Sequence, residues 1–373
     1  MLGLAIHEPS RPGGPEGDRF FDGAQPQHDA NQLGAAQPLP AANQAGLPRH
    51  LQKLIQAGLA RRQQGYRGRF APSPTGDLHR GNLRTALLSW LHARLQGGEW
   101  LLRLDDLDQP RNRPGAANRI LADLRWLGLD WDGPPLLQSS RRGLYASVLS
   151  SLRRRGRLYP CACSRRLLAD ISAPHGALAV YPGFCRQRAL GWGPCQGRLP
   201  SWRLRLPEAP IRWAEDSPWP GWLEGATEVG DVVLRRADGL VAYHLATAVD
   251  ELSLGITAVV RGDDLWASTG AQVALMAALG AGPPRYWHVP LWRDPQGQRL
   301  SKRAAAEGLA GLRQGGADGP AVIGLLAASL GLVPGGSRLS AQELCQQLQL
   351  SELLAAVHGP MALTQQNSKA GEA

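Results

Sequence analysis

Residues 69–82 read RFAPSPTGDLHRGN, and this stretch connects a predicted strand to a predicted helix. Residues 66–71 form a candidate strand that leads into it, and Leu83, Leu87 and Leu91 follow it at helical spacing. A strand-to-helix connection directs backbone N–H groups and the positive end of the helix dipole to one point, where an anion can bind. Two prolines and two glycines stiffen the loop and let a ligand approach its backbone. The stretch therefore predicts an anion-binding loop.

The residues on either side of this loop continue the alternation of strands and helices. We predict strands at 66–71 and 100–104, and helices at 82–95, 114–128 and 145–156, with Asn82 capping the first helix. After an irregular region that contains cysteines, the alternation of predicted strands and helices resumes at 240–249, 257–261, 265–279 and 286–291. Alternation of this kind is typical of an α/β fold with a parallel sheet, whose ligands bind at the carboxyl ends of the strands.

Composition narrows the range of partners and cellular sites. The 41 Lys and Arg residues exceed the 31 Asp and Glu residues by 10, which favours a polyanionic partner such as nucleic acid. Five cysteines and the opening MLGLAIHEPS argue against a secreted, disulfide-bonded protein, so we expect a cytoplasmic one. The uncharged run 321–333 is shorter than the ~20 residues of a membrane span, so no membrane role is predicted.

Lysine is rare in this chain, which contains only Lys53, Lys302 and Lys369. Lys302 lies in RLSKR, residues 299–303, on a glycine-containing loop after the last predicted strand. A lysine retained in a chain that otherwise uses arginine suggests that a compact ammonium group is needed there. Action on phosphate oxygens would supply that need.

Five motifs together resemble those of one enzyme family, the class I aminoacyl-tRNA synthetases. Residues 69–82 resemble its His-Ile-Gly-His signature in the form R-F-A-P-S-P-T-G-x-L-H-x-G, typical of glutamyl-tRNA synthetases, and residues 299–303 resemble its Lys-Met-Ser-Lys-Ser signature. The runs at 103–108 (RLDDLD), 243–246 (YHLA) and 261–265 (RGDDL) resemble R-I-E-D-x-D, Y-x-L-A and R-G-x-D-L of the glutamyl enzymes. The resemblance covers residues 66 to about 315 and implies the Rossmann-like parallel sheet of the class.

The resemblance implies roles for individual residues. An amino acid with two carboxylates and an ammonium group calls for two arginines and an acid. The residues implied for glutamate are Arg69, Ala71, Ser73, Asp105, Tyr243 and Arg261, and those implied for ATP, which acts with Mg²⁺, are His79, Gly81, Asn82, Ser301 and Lys302. His79 and Lys302 are the expected catalytic residues. Asp105 stands where the family usually has Glu, one methylene longer.

Cys161, Cys163 and Cys185 form a candidate metal site, with buried free cysteines as the alternative. Three thiolates need a fourth ligand, and the residues alone leave His175, Tyr181 and Cys195 as candidates, with His175 or Cys195 favoured by ligand chemistry. The spacing C-x-C followed by Y-x-x-x-C is similar to that of short paralogues of the glutamyl enzymes. That resemblance implies one structural zinc held by Cys161, Cys163, Tyr181 and Cys185.

The length of the chain also bears on its function. Only 70 residues follow Arg303, whereas a full glutamyl-tRNA synthetase has a large helical anticodon-binding region there. Resemblance to the short paralogues implies activation of L-glutamate with ATP, without tRNA, and its transfer to queuosine in the anticodon of tRNA(Asp). The alternatives are a truncated glutamyl-tRNA synthetase that charges an acceptor end and a non-catalytic, zinc-containing RNA-binding module. We expect a monomer.

These inferences divide the chain into five parts. They are a low-complexity extension expected to be disordered (1–65), with a modest helix at 49–62; the first half of the catalytic domain (66–157); a zinc-containing insertion and acceptor-like region (158–239); the second half of the catalytic domain (240–315); and a short helical segment (316–373).

Overall fold

The computed structural model describes residues 44, 46–164, 180–194, 197–292 and 309–357. His175, Cys195, Ser301 and Lys302 therefore lie outside the described residues. The elements in chain order are α1 (Arg49–Arg62), β1 (Arg67–Phe70), α2 (Arg80–Arg94), β2 (Glu99–Leu104), α3 (Ala116–Trp126), β3 (Leu136–Leu137), α4 (Arg142–Arg154), β4 (Leu158–Cys161), β5 (Ser201–Leu204), β6 (Pro210–Arg212), β7 (Trp222–Glu224), β8 (Val233–Arg235), α5 (Tyr243–Leu254), β9 (Ala258–Gly262), α6 (Trp266–Ala278), β10 (Arg285–Val289), α7 (Leu309–Gln314), α8 (Gly319–Ala328), α9 (Ala341–Gln347) and α10 (350–357).

Parallel strands from the two halves of the predicted catalytic domain meet at β1. Strand β2 pairs in parallel with both β1 and β3, and β9 pairs in parallel with β10. The halves are joined where the Thr257 amide, just before β9, donates to the Arg67 carbonyl in β1 at 2.9 Å. The predicted α/β fold with a parallel sheet is confirmed. Because all these strands point the same way, the carboxyl ends of β1 and β9 lie side by side.

Helix α2 begins two residues earlier than predicted. Its N-cap is His79, whose side chain accepts a hydrogen bond from the Asn82 amide, so the assignment of Asn82 as the cap was wrong. Leu83, Leu87 and Leu91 are fully buried, as their spacing predicts. They share one hydrophobic cluster with residues of α8, α9 and α10. The C-terminal helices thus support the helix that follows the anion-binding loop.

The interpretation of residues 1–65 as a disordered extension is wrong for its last part. Helix α1 is the predicted helix 49–62, but Leu51 and Ile55 are buried in the hydrophobic cluster that contains α5. Gly58 allows the close approach: a Cβ atom there would collide with the carbonyl oxygen of Leu252. Residues 49–62 therefore belong to the folded body, because tertiary packing stabilises a helix that is only weakly amphipathic in sequence.

The region between the two halves is mainly antiparallel. Strand β5 lies between β4 and β8, and β6 pairs with β7. Residues 214–216 extend alongside β10, since the Tyr286 amide donates to the Ala214 carbonyl and the Asp216 amide donates to the Tyr286 carbonyl, both at 2.8 Å. None of the helices in the described ranges is both long and apolar enough to cross a membrane.

Candidate active site

A cleft of about 810 Å³ opens at the carboxyl ends of β1 and β9. Its walls include each residue in the described ranges that was assigned to glutamate or ATP, namely Arg69, Ala71, Ser73, His79, Gly81, Asn82, Asp105, Tyr243 and Arg261. These residues come from four separate stretches of sequence. The fold thus brings together the set that the motifs predicted, while the role of each member remains a prediction.

His79 lies at the start of α2 on the wall of the cleft. Its Nδ1 accepts from the Asn82 amide at 3.2 Å, and burial lowers the pKa of its imidazole below the ordinary value. The ring is therefore neutral near pH 7, with its proton on Nε2. A Cβ on Gly81 would lie 3.2 Å from two atoms of this ring, so Gly81 leaves room for the imidazole. The arrangement supplies a neutral N–H donor at a helix N-terminus, suited to phosphate.

Arg69 is held deep in the cleft by a partner that sequence reasoning missed. Its Nε donates to Glu251 Oε1 at 3.0 Å and its Nη1 donates to the Val260 carbonyl at 3.1 Å. Glu251 is completely buried on α5. A buried carboxylate of this kind fixes the guanidinium plane and offsets its charge before any substrate arrives.

Arg261 is the second-last residue of β9 and is surrounded by hydrogen-bond acceptors. Its Nη2 donates to Thr269 Oγ1 at 2.6 Å, its Nη1 to Gln272 Oε1 at 2.8 Å, and its Nε to His288 Nε2 at 3.2 Å. The Tyr243 hydroxyl lies 3.5 Å from Nη1. The guanidinium of Arg261 is thus locked in orientation beside a tyrosine that also faces the cleft.

Asp105 does not present a free carboxylate to the cleft. Both of its oxygens accept from Arg103, at 2.6 Å from Nε and 3.2 Å from Nη2. Asp250 lies 3.8 Å from the same guanidinium. The predicted contact of Asp105 with the substrate ammonium group would therefore have to share this carboxylate with Arg103.

Buried polar residues around the site escaped the sequence analysis. Glu251 and Asp250 interrupt an apolar helix, and His288 interrupts an apolar strand. A polar side chain on an otherwise apolar face was the available signal, because such a group must have a partner when it is buried. The sequence did not reveal which partner each one meets.

The three predicted cysteine ligands converge. The sulfur atoms of Cys161, Cys163 and Cys185 all lie within 4.8 Å of one another, and the Tyr181 hydroxyl is 3.5 Å from Cys161 Sγ and 3.6 Å from Cys163 Sγ. Tetrahedral zinc with Zn–S of about 2.3 Å and Zn–O of about 2.0 Å would separate its ligand atoms by about 3.5–3.8 Å. The residues therefore fit a zinc ion. The other candidates for the fourth ligand, His175 and Cys195, lie outside the described residues.

A second cavity of about 420 Å³ adjoins the cleft. Ser73, Asp105 and Tyr243 line both spaces. Tyr181 and Arg203 form part of its far wall, where the Arg203 guanidinium stacks 3.6 Å from the centre of the Tyr181 ring. The cavity thus leads from the cysteine cluster to the residues assigned to glutamate.

Comparison with known proteins gives one consistent result. The family model for class I tRNA synthetases (E and Q), catalytic domain, matches residues 66–350. The chain is 58% identical over 291 residues to a glutamyl-Q tRNA(Asp) synthetase of Prochlorococcus marinus (strain MIT 9303), covering 78% of this chain and 90% of that protein. It is 59% identical over 283 residues to one from Parasynechococcus marenigrum (strain WH8102), covering 76% and 89%.

A solved structure is similar as well. The glutamate tRNA ligase of Elizabethkingia meningosepticum, crystallised in complex with its amino acid, superposes with a TM-score of 0.65 at 28% identity. The match covers 79% of this chain and 66% of that ligase, so the chain spans about two thirds of its length.

Proposed function

Because the chain belongs to the class I tRNA synthetases of the glutamyl and glutaminyl type, we propose that it activates L-glutamate with ATP and transfers it to queuosine in the anticodon of tRNA(Asp). The observation that carries this proposal is the convergence of nine motif residues in one cleft. The names of relatives that are 58–59% identical support the queuosine acceptor.

In the activation step, a glutamate carboxylate oxygen forms a bond to the α-phosphorus of ATP, and pyrophosphate leaves with the electron pair of the broken bond. Arg69 and Arg261 each bind a carboxylate of the amino acid and fix its orientation. The Nε2–H of His79 and the ammonium group of Lys302 stabilise the charge that develops on the phosphates. Mg²⁺ accompanies ATP, as the family implies, and no acid or base among these residues has to move a proton.

In the transfer step, a hydroxyl oxygen of queuosine forms an ester bond to the activated carboxyl carbon, AMP leaves with the electron pair of the broken bond, and the hydroxyl proton goes to the phosphate of the departing AMP. The acceptor hydroxyl must therefore lie beside the activated carboxyl. The second cavity offers the room, since it shares Ser73, Asp105 and Tyr243 with the cleft. We propose that the modified base enters there. One zinc ion, held by Cys161, Cys163, Tyr181 and Cys185, would stabilise the wall that Tyr181 contributes, and four protein ligands leave it no open position for catalysis.

The proposal is tested in two stages. Glutamate-dependent ATP:pyrophosphate exchange in the absence of tRNA is expected, and its absence would favour the non-catalytic RNA-binding module. Labelled glutamate is then offered to tRNA(Asp) with and without queuosine, and the product is digested to locate the label. Label in the anticodon fragment of the queuosine-containing tRNA alone is expected, whereas label at the acceptor end would identify a truncated glutamyl-tRNA synthetase.

A further inference from the structure

Arg261 is the last link of a hydrogen-bonded chain that begins outside the motifs. Glu215 Oε2 accepts from His288 Nδ1 at 2.7 Å, and His288 Nε2 in turn accepts from Arg261 Nε at 3.2 Å. His288 is 1% exposed and Arg261 is 4% exposed. The order of groups along this chain is carboxylate, imidazole and guanidinium. Water has little access to the imidazole and the guanidinium.

The backbone places these three residues in one row. Residues His288 and Arg261 are directly opposite each other in the parallel pair β9–β10. Glu215 lies on the other side of β10, in the 214–216 segment, where it forms a bridge with Tyr286. The row is therefore built by three adjacent extended segments, so its geometry does not depend on flexible loops.

The carboxylate of Glu215 is saturated with donors. Besides His288 Nδ1 it receives the Trp213 indole N–H at 2.9 Å, the Ser217 hydroxyl at 2.6 Å and the His288 amide at 3.2 Å. Burial alone would raise the pKa of Glu215, but these hydrogen bonds hold it below the ordinary value. Burial lowers the pKa of His288. An ionised Glu215 thus faces a neutral imidazole.

An ionised carboxylate at Nδ1 determines where the single proton of that imidazole lies. The proton stays on Nδ1, so the lone pair of Nε2 is left to accept from Arg261 and from the Thr269 hydroxyl, which lies 3.0 Å away. The opposite tautomer would place two N–H groups against each other at Nε2 and a lone pair against the carboxylate. The orientation of the guanidinium is in this way coupled to a residue two hydrogen bonds away.

We propose that Glu215 and His288 are positioning residues for glutamate binding: they fix the Arg261 guanidinium so that it presents one face to the substrate carboxylate. The inference rests on the proposed function, because it requires Arg261 to bind glutamate. Glu215 itself is not among the residues that line the cleft, so it acts through Arg261. Its effect must therefore appear in glutamate affinity rather than in ATP affinity.

The test combines kinetics with a direct view of the imidazole. In ATP:pyrophosphate exchange, Glu215→Gln is expected to raise the KM for glutamate about tenfold and to leave the KM for ATP within about twofold. The matched control is Asp216→Asn, which removes the neighbouring carboxylate and its ion pair with Arg285 but does not touch the row. This control should leave both constants unchanged. Long-range ¹H–¹⁵N NMR should show His288 of the parent protein neutral and protonated on Nδ1 at pH 7.

The possible outcomes distinguish a failure of this inference from a failure of the proposed function. A parent protein that exchanges pyrophosphate, with Arg261→Lys raising the KM for glutamate but Glu215→Gln acting no more than Asp216→Asn, overturns the positioning role alone. A His288 proton on Nε2 overturns it even if Glu215→Gln fails to fold. If Arg261→Lys leaves the KM for glutamate unchanged, the assignment of Arg261 to glutamate is wrong and the inference falls with it.

Discussion

Both carboxylate oxygens of Asp105 accept hydrogen bonds from one guanidinium, that of Arg103, two residues earlier in the chain. The pair is buried at the end of β2, with 1% of the Arg103 side chain and 7% of the Asp105 side chain exposed. Both oxygens of the shorter aspartate are thus occupied by hydrogen bonds from another residue of the protein. A glutamate at the same position would reach one methylene further, towards the cleft.

Asp105→Glu is expected to fold with a melting temperature close to that of the parent and to retain or improve glutamate activation. The longer side chain can keep one oxygen on Arg103 and place the other nearer the substrate ammonium group. Asp105→Asn is the contrasting variant. It leaves Asp250, 3.8 Å away, as the remaining carboxylate partner of Arg103 among the described residues. Removing one member of a buried pair costs about 3–5 kcal/mol, so Asn should lower the melting temperature markedly. Equal losses from Glu and Asn would contradict this account.

Gly58→Ala is expected to destabilise the protein, although alanine normally favours a helix interior by up to about 1 kcal/mol over glycine. The new methyl group would collide with the Leu252 carbonyl and separate α1 from α5. The matched control is Gly143→Ala in α4, where an added Cβ meets no atom within 4 Å. That variant should be neutral or slightly stabilising in thermal or urea unfolding. A Gly58→Ala variant as stable as Gly143→Ala would mean that α1 does not pack on the body as described.

Zinc removal should affect stability and leave the chemistry of activation alone. A chelator, or Cys163→Ala, is expected to lower the melting temperature, because a closed site contributes its binding free energy to folding. Cys345→Ala is the control, since Cys345 is a free cysteine outside the cluster. Less than about half an equivalent of zinc in the purified protein would contradict the assignment. So would a Cys163→Ala variant that melts like the control.

Much of the fold followed from local patterns. The strands and helices around residues 69–104 have turn residues and apolar spacing that agree with their final structure, which is why their positions could be predicted. Helix α1 is the contrary case. Its sequence shows a modest helix, and only the contact of Leu51, Ile55 and Gly58 with α5, some 200 residues away, makes it part of the body. A contact at that separation leaves no local signal.

The residues of the candidate site also divide into those with a local sequence signal and those without one. His79, Arg69 and Arg261 were found because they lie in contiguous motifs, whereas Glu251, His288 and Glu215 act through partners that are distant in sequence. Glu215 meets His288 across 73 residues, and nothing in the loop around it distinguishes it from a solvated acid. The residues that hold these three side chains in place are set by tertiary structure, so the sequence indicated the candidate binding groups without the residues that support them.

His79 caps a helix, and this role can be separated by substitution from the catalytic role proposed for it. Its Nδ1 caps α2 through the Asn82 amide, and its Nε2–H is the group proposed to act on phosphate. Asparagine is among the best N-cap residues, so His79→Asn should keep the cap while removing the donor that reaches the cleft. His79→Ala removes both the cap and the donor.

We expect each variant to lower the turnover of glutamate activation at least tenfold, equivalent to about 1.4 kcal/mol of transition-state stabilisation. Only His79→Ala should also lose stability, by about 1 kcal/mol, the usual cost of a missing cap. Pyrophosphate exchange and thermal unfolding of the two variants, measured side by side, provide the comparison. If His79→Asn turns over like the parent, the imidazole serves the helix alone and the charge on the phosphates must be met by other groups.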